Sequence, residues 1–234
     1  MEIFFFTTVD AEPNYREQAE WLLASGEKYG RKIHLFDMPS NKRWRTYKID
    51  IMGGDLPAAD KYVYIDADAI LTCRGDWELD ECEGMSDPLH FYPKLRAKYT
   101  VSFMRNHTVT IGEGKGFEYI HSLWIERGEP VWVNNGVVVL KGADRLPFTH
   151  LWRQWTDRID AACEKPPMQC NEPASMFAAA EYGLPLLPPR FNGLCKSQPI
   201  PPDGGDCVLI HADGNVTGQK RKPYDNAVAR VIDG

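Results

Sequence analysis

The 234-residue sequence predicts an α/β protein with a mostly parallel central sheet flanked by helices, organised as one domain over residues 1–234. Three observations carry this: short buried-type runs at residues 2–8, 32–36 and 61–71, amphipathic stretches between them, and Gly or Pro at the junctions. With 43% hydrophobic and 12% aromatic residues the chain can build a sizeable core.

The elements follow in order. Ile3-Phe-Phe-Phe6 opens the first strand and stops at Thr7-Thr8. It is too short, and too acidic in its lead-in, for a secretory leader. Pro13-Asn14 starts a helix through Trp21, Leu22 and Leu23, with Gly26 and Gly30 as its stop signals. Lys32–Phe36 reads as a strand, and the basic stretch Lys42–Lys48 as a helix broken at Gly53-Gly54. The third strand is Lys61-Tyr-Val-Tyr-Ile-Asp-Ala-Asp-Ala-Ile-Leu71. Further on, Trp132–Leu140 is a strand interrupted by Asn-Asn-Gly, and helices are expected over 148–163 and 172–182. Residues 184–192 read as extended, and Cys207–Ile210 as a last strand delivering His211.

In a parallel sheet of this kind, ligands bind beyond the carboxyl ends of the strands. That places Thr7, Thr8, Asp10, Asp66 and Asp68 at one rim. Side chains two apart on an extended chain share a face, so Asp66 and Asp68 set two carboxylates side by side where the strand leaves the sheet. Two hard oxygen donors there suit Mg²⁺ or Mn²⁺ against a phosphate; the alternative is a solvated turn.

Charge divides the middle of the chain. Residues 76–87 carry six acids and no base, which reads as a solvated loop. Residues 88–112 carry four bases and no acid, with Phe91, Tyr92, Tyr99 and Phe103 interleaved. Such a segment is either an ordinary amphipathic element or a surface for a sugar, a base or a phosphate. The net charge of −6 argues against an indiscriminate nucleic-acid coat. Six cysteines without a Cys-x-x-Cys pair, and no apolar run long enough to span a membrane, lead to the expectation of a soluble, cytoplasmic protein with reduced thiols.

Several short motifs then occur in a fixed order: Phe6-Thr-Thr-Val-Asp10, Asn14-Tyr15, Thr46-Tyr-Lys48, Tyr64-Ile-Asp-Ala-Asp68, Val133-Asn-Asn-Gly136, Asn171-Glu-Pro-Ala174, Pro189-Arg-Phe-Asn192, His211-Ala-Asp-Gly214 and Lys222-Pro-Tyr224. The series resembles the family 8 glycosyltransferases, of the glycogenin and bacterial galactosyltransferase type, from residue 3 to about residue 224. That resemblance implies a GT-A, Rossmann-like fold for nucleotide-diphospho-sugars. It further implies transfer of a hexose from a UDP-sugar to an acceptor hydroxyl with retention, assisted by Mn²⁺ or Mg²⁺.

On the same basis Asp66, Asp68 and His211 are the expected metal ligands. Thr7, Thr8, Asp10 and Tyr15 would border base and ribose, Asn134 and Gly136 the sugar, and Lys48 the donor phosphates. Gly214 and Lys222 belong to the terminal His–Gly–Lys pattern. The gap from His211 to Lys222 exceeds the usual spacing, which makes Lys220 a second candidate for the diphosphate. Asn171 and Glu172 stand where many members show Asp-Gln-Asp, and would face the reacting sugar and its acceptor.

A glycan, a glycolipid or hydroxylated bases in DNA all suit the basic segment, with Lys42, Arg43 and Arg45 as a second basic cluster. Two other readings stand beside this one. One is a phosphohydrolase of the haloacid-dehalogenase type, which expects Thr or Val where Ile70 stands and the motif on the first strand. The other is a non-catalytic sugar-nucleotide or glycan-binding module.

Overall fold

In the computed structural model, residues 1–10, 12–40, 44–86, 133–162, 171–195, 200–212 and 218–232 are described. Their strands are β1 (Ile3–Val9), β2 (Ile33–Asp37), β3 (Lys61–Ile65), β4 (Ala69–Leu71), β5 (Gly84–Ser86), β6 (Asn134–Lys141), β7 (Leu186–Leu187), β8 (Gly193–Leu194) and β9 (Leu209–His211). The helices are α1 (Pro13–Lys28), α2 (Trp44–Met52), α3 (Gly142–Ala162), α4 (Asn171–Tyr182) and α5 (Lys222–Ile232).

Six strands form one sheet in the order β2-β1-β3-β6-β5-β7. Only β6 opposes the rest, because β3 and β5 both pair with it antiparallel while the other pairings are parallel. This is the mostly parallel α/β sheet with flanking helices that the sequence predicts. A second sheet, β4-β9-β8, stands beside it.

The period-two alternation of each strand sorts its side chains to the two faces. Phe4, Phe6, Tyr62, Tyr64, Val138 and Leu140 meet Ile49 and Met52 of α2, Phe148, Trp152 and Trp155 of α3, and Phe177 of α4. Phe5, Val63, Ile65, Val137 and Val139 face the other way, against Leu22 of α1, Trp77 and Phe191. Each aliphatic side chain so buried contributes about 1.5–3 kcal/mol. The second sheet packs Ile70 and Ile210 against Tyr224, Ala227 and Val228 of α5.

Several expectations are corrected. Helix α1 runs through Gly26, which packs so tightly that a Cβ there would lie 2.6 Å from the Arg31 carbonyl oxygen. The stop is Gly30, whose φ of 68° lies in the left-handed region that ends helices. Helix α3 begins at Gly142, six residues before the predicted start, and carries Pro147 inside it. The supposed extended segment 184–192 holds the short strand β7 and a 3-10 turn at Pro189–Phe191.

The acidic run is not simply a solvated loop. Asp76 pairs with Arg190, Glu78 with Arg31 and Glu83 with Lys141, and β5 lies within it. Lys61, at the start of β3, is buried and donates to the carbonyls of Trp77, Leu79 and Cys82, which pins the same segment. The basic-aromatic segment 88–112, with Lys42 and Arg43, lies outside the described residues. Among the described residues no helix is long and apolar enough to cross a membrane.

Candidate metal centre

The parallel pairing of β1 with β3, in register Phe6↔Tyr64, brings the carboxyl ends of both strands to one rim. Strand β3 does not continue through the Asp-x-Asp motif. It ends at Ile65, and a turn closed by a hydrogen bond from Ala69 N–H to the Asp66 carbonyl (3.2 Å) redirects the chain into β4 and the second sheet. A straight strand would hold residues 66 and 68 about 6.6 Å apart along its axis. The turn, not strand alternation, therefore brings the two carboxylates together.

Each aspartate is tied to a different sheet. Asp66 N–H donates to the Gly136 carbonyl at 2.7 Å, prolonging the β3–β6 ladder by one step. Ala212 N–H donates to the Asp68 carbonyl at 2.9 Å, and Ala69 lies opposite His211 in the β4–β9 pair. His211 Nε2 thus sits 2.9 Å from Asp68 Oδ1 and 4.0 Å from Asp66 Oδ2. One candidate ligand atom from each of Asp66, Asp68 and His211 falls within 4.8 Å of the others. Two carboxylates and one imidazole converging this closely fit a divalent ion such as Mn²⁺ or Mg²⁺.

The imidazole has its place because residue 136 lacks a side chain. A Cβ at Gly136 would stand 2.2 Å from His211 Cε1 and 2.6 Å from its Nδ1. Gly136 N–H in turn donates to Asn134 Oδ1 at 2.9 Å, and Asn192 Nδ2 donates to the same oxygen at 3.0 Å and to Ser86 Oγ at 2.8 Å. Asn134 and Gly136 therefore belong to a polar frame beside the cluster.

Lys48 has a task the sequence did not suggest. It is buried, and its Nζ donates to Asp66 Oδ1 (2.8 Å), the Asn135 carbonyl (3.2 Å) and Asn135 Oδ1 (3.2 Å). An ammonium has three protons, and all three are spent. In this arrangement it holds Asp66 and β6 together, where the resemblance had it reaching phosphates. Asn135 Nδ2 donates in turn to the buried Ser175 Oγ on α4, at 3.4 Å, so the frame extends to that helix.

Around the cluster, Thr7 is buried and its Oγ1 meets no partner among the described residues. Thr8 Oγ1 lies 3.1 Å from Tyr64 Oη, and Asp10 accepts from Glu12 N–H at 2.9 Å. Tyr15 on α1 feels the site directly: burial, then the charges of Asp68, Asp10 and Asp66, push its phenol above the ordinary range. Tyr224 of α5 is fully buried and also raised, by burial first and Asp68 second. Lys220 is exposed in the turn Gly218–Lys220, and Lys222 is the exposed first residue of α5. Asn171 and Glu172 open α4, and Gly214 lies outside the described residues. Tyr64, Asn135 and Asn192 escaped the sequence reading as site residues, although each lies inside a motif it singled out.

No protein-family model and no curated protein matches the sequence. Among solved structures, the fold is similar to the crystal structure of a glycosyltransferase involved in the glycosylation of the major capsid of PBCV-1. The TM-score is 0.54 at 10% identity, covering 97% of this chain and 99% of that one. The likeness is one of fold: the chain has a GT-A-like α/β architecture, with an Asp-x-Asp-type cluster at its rim.

Proposed function

We propose that this protein is a metal-dependent glycosyltransferase that moves a hexose from a UDP-sugar to an acceptor hydroxyl with retention of configuration. The observation that carries the reading is the convergence of Asp66, Asp68 and His211 at the carboxyl rim of a GT-A-like sheet. These three residues would hold Mn²⁺ or Mg²⁺, which when bound supplies Lewis-acid neutralisation of the donor diphosphate.

The chain's own residues do the rest. Thr7, Thr8, Asp10 and Tyr15 border the base and ribose, and Asn134 with Gly136 orients the sugar. Lys220 and Lys222 clamp the diphosphate with fixed positive charge, which favours the developing negative charge of the leaving nucleotide. Asn171 and Glu172 position the acceptor at the sugar. The acceptor oxygen bonds to the anomeric carbon from the leaving-group side as the carbon–oxygen bond to the diphosphate breaks. Its proton passes to the departing phosphate oxygen. A glycan or glycolipid is the acceptor class.

The test is a panel of nucleotide sugars assayed for thermal shift and for nucleotide release, with and without Mn²⁺, followed by acceptor libraries read by mass spectrometry. The expected result is Mn²⁺-dependent nucleotide release from one UDP-hexose, abolished in Asp66→Ala and Asp68→Ala. Undiminished turnover in either variant would overturn the reading. Phosphate release from simple phosphomonoesters without any nucleotide sugar would replace it with a hydrolase, and transfer to hydroxylated DNA would move the acceptor class.

A further inference from the structure

Tyr64 lies where packing alone asks for phenylalanine. Its ring sits edge-on to Phe6 with centroids 5.4 Å apart, Lys48 Nζ stands 4.8 Å from its centroid, and the residue is almost wholly buried within the aromatic face of β1 and β3. A hydroxyl added to such a ring costs desolvation unless it is paired. Here the phenol donates to Asp66 Oδ1 at 2.5 Å. Its single proton is thereby committed, so the 3.1 Å contact with Thr8 Oγ1 must run the other way, with Thr8 donating to the phenol oxygen. The chain is Thr8 to Tyr64 to Asp66, and Lys48 closes on the same carboxylate oxygen from α2.

Both donors address Oδ1. That leaves Oδ2 as the atom turned toward His211, 4.0 Å away. An aspartate carboxylate is free to rotate about its last bond, and two anchors on one oxygen remove that freedom. We propose that Tyr64, braced by Thr8, is a positioning residue of the metal centre: it fixes Asp66 so that Oδ2 is presented as the ligand atom. The inference rests on the metal-centre part of the functional reading above and goes beyond it by assigning residues outside the ligand set.

The experiment is titration of the whole protein with Mn²⁺ alone, without nucleotide, followed by electron paramagnetic resonance of free and bound Mn²⁺. Wild type, Tyr64→Phe and Thr8→Val are compared, with Asp66→Ala as the blank. Loss of an outer hydrogen-bond partner of a metal ligand weakens binding by about ten- to a hundredfold. That loss is expected for Tyr64→Phe, with a broadened bound-Mn²⁺ spectrum and a smaller loss for Thr8→Val. A merely structural hydroxyl would lower the melting temperature and leave the affinity and spectrum unchanged. If Tyr64→Phe and Thr8→Val bind Mn²⁺ within twofold of a wild type that binds it, the positioning role is wrong and the functional reading stands. If wild type binds no better than Asp66→Ala, the metal reading itself falls, and this inference with it. Thr8→Val keeps the test decisive should Tyr64→Phe fold poorly.

Discussion

Replacing Gly136 by alanine should displace His211 and thereby disrupt the candidate metal centre from its backbone side. The added Cβ would lie 2.2 Å from His211 Cε1 and 2.9 Å from Asn134 Oδ1. Carbon atoms pack at about 3.5 Å or more, so the imidazole must withdraw by about 1.3 Å or β6 must yield. Gly136 is not among the glycines with positive φ, so backbone strain is not part of the cost. Overpacking of this size destabilises by about 1–3 kcal/mol. The same displacement breaks the 2.9 Å contact between His211 Nε2 and Asp68 Oδ1 and removes one of three converging ligands. Urea unfolding of the metal-free protein and Mn²⁺ titration read the two consequences separately. A double-mutant cycle with His211→Ala isolates the cause: with the ring gone, Gly136→Ala should cost at least about 1 kcal/mol less than in wild type. Strict additivity in that cycle would refute the steric argument.

Two further outcomes follow from buried groups outside the candidate ligand set. Burial pushes the Cys82 thiol up to about 12 and the Cys207 thiol up to about 11, while the unfolded chain releases such protons from about pH 8.5. The folded state then holds more protons, so stability should be full below that range and fall as pH rises through it towards 11–12. Denaturation between pH 8 and pH 11 checks the slope, and a Cys82 that reacts with a thiol reagent at pH 8 as fast as the exposed Cys73 would contradict it. Asn192→Ala removes the fully buried donor to the buried Ser86 Oγ and the half-buried Asn134 Oδ1. Because Asn192 Oδ1 itself lacks a partner among the described residues, the loss should be at the low end of about 1–3 kcal/mol; no change in unfolding midpoint would show the frame to be energetically idle.

The central strands were legible because β1, β3 and β6 carry the apolar runs Ile3–Phe6, Tyr62–Ile65 and Val137–Leu140, and the convergence of Asp66, Asp68 and His211 because the three fall in ordered motifs. The turn at 66–69 was not. Asp66 and Asp68 interrupt an apolar run whose two halves look alike, and only the pairing of β4 with β9, which follows more than 130 residues later in the chain, shows that they enter different sheets. Helix α5 was not predicted although Tyr224, Ala227, Val228 and Val231 recur at helical spacing, because its opening Lys222-Pro-Tyr224 reads as the end of the terminal lysine motif. Lys48 was expected at the donor phosphates, and the structure shows it bonded to Asp66 and Asn135. A basic residue near phosphate-binding motifs suggests phosphate, whereas burial against Asp66 and Asn135 is a property of packing between α2, β3 and β6.

The candidate metal centre straddles a seam. Asp66 is held by the six-stranded sheet through Gly136 and Tyr64 and by Lys48 of α2, whereas Asp68 and His211 are held by the three-stranded one. Ligand geometry therefore depends on how the sheets sit against each other. Two features set that placement. The turn from Asp66 to Ala69 is a covalent tie too short to allow separation, and Gly136 lets the His211 ring press directly on β6. Ile65, Ala69, Leu71, Val137 and Leu209, drawn from both sheets, share one buried cluster behind the site. A core shared across the seam makes relative sliding of the sheets costly, because any shift opens voids in close-packed surroundings. The ligands are thus preorganised by apolar packing behind them as much as by the hydrogen bonds at the rim, and a substitution in that cluster can loosen the centre without touching a ligand.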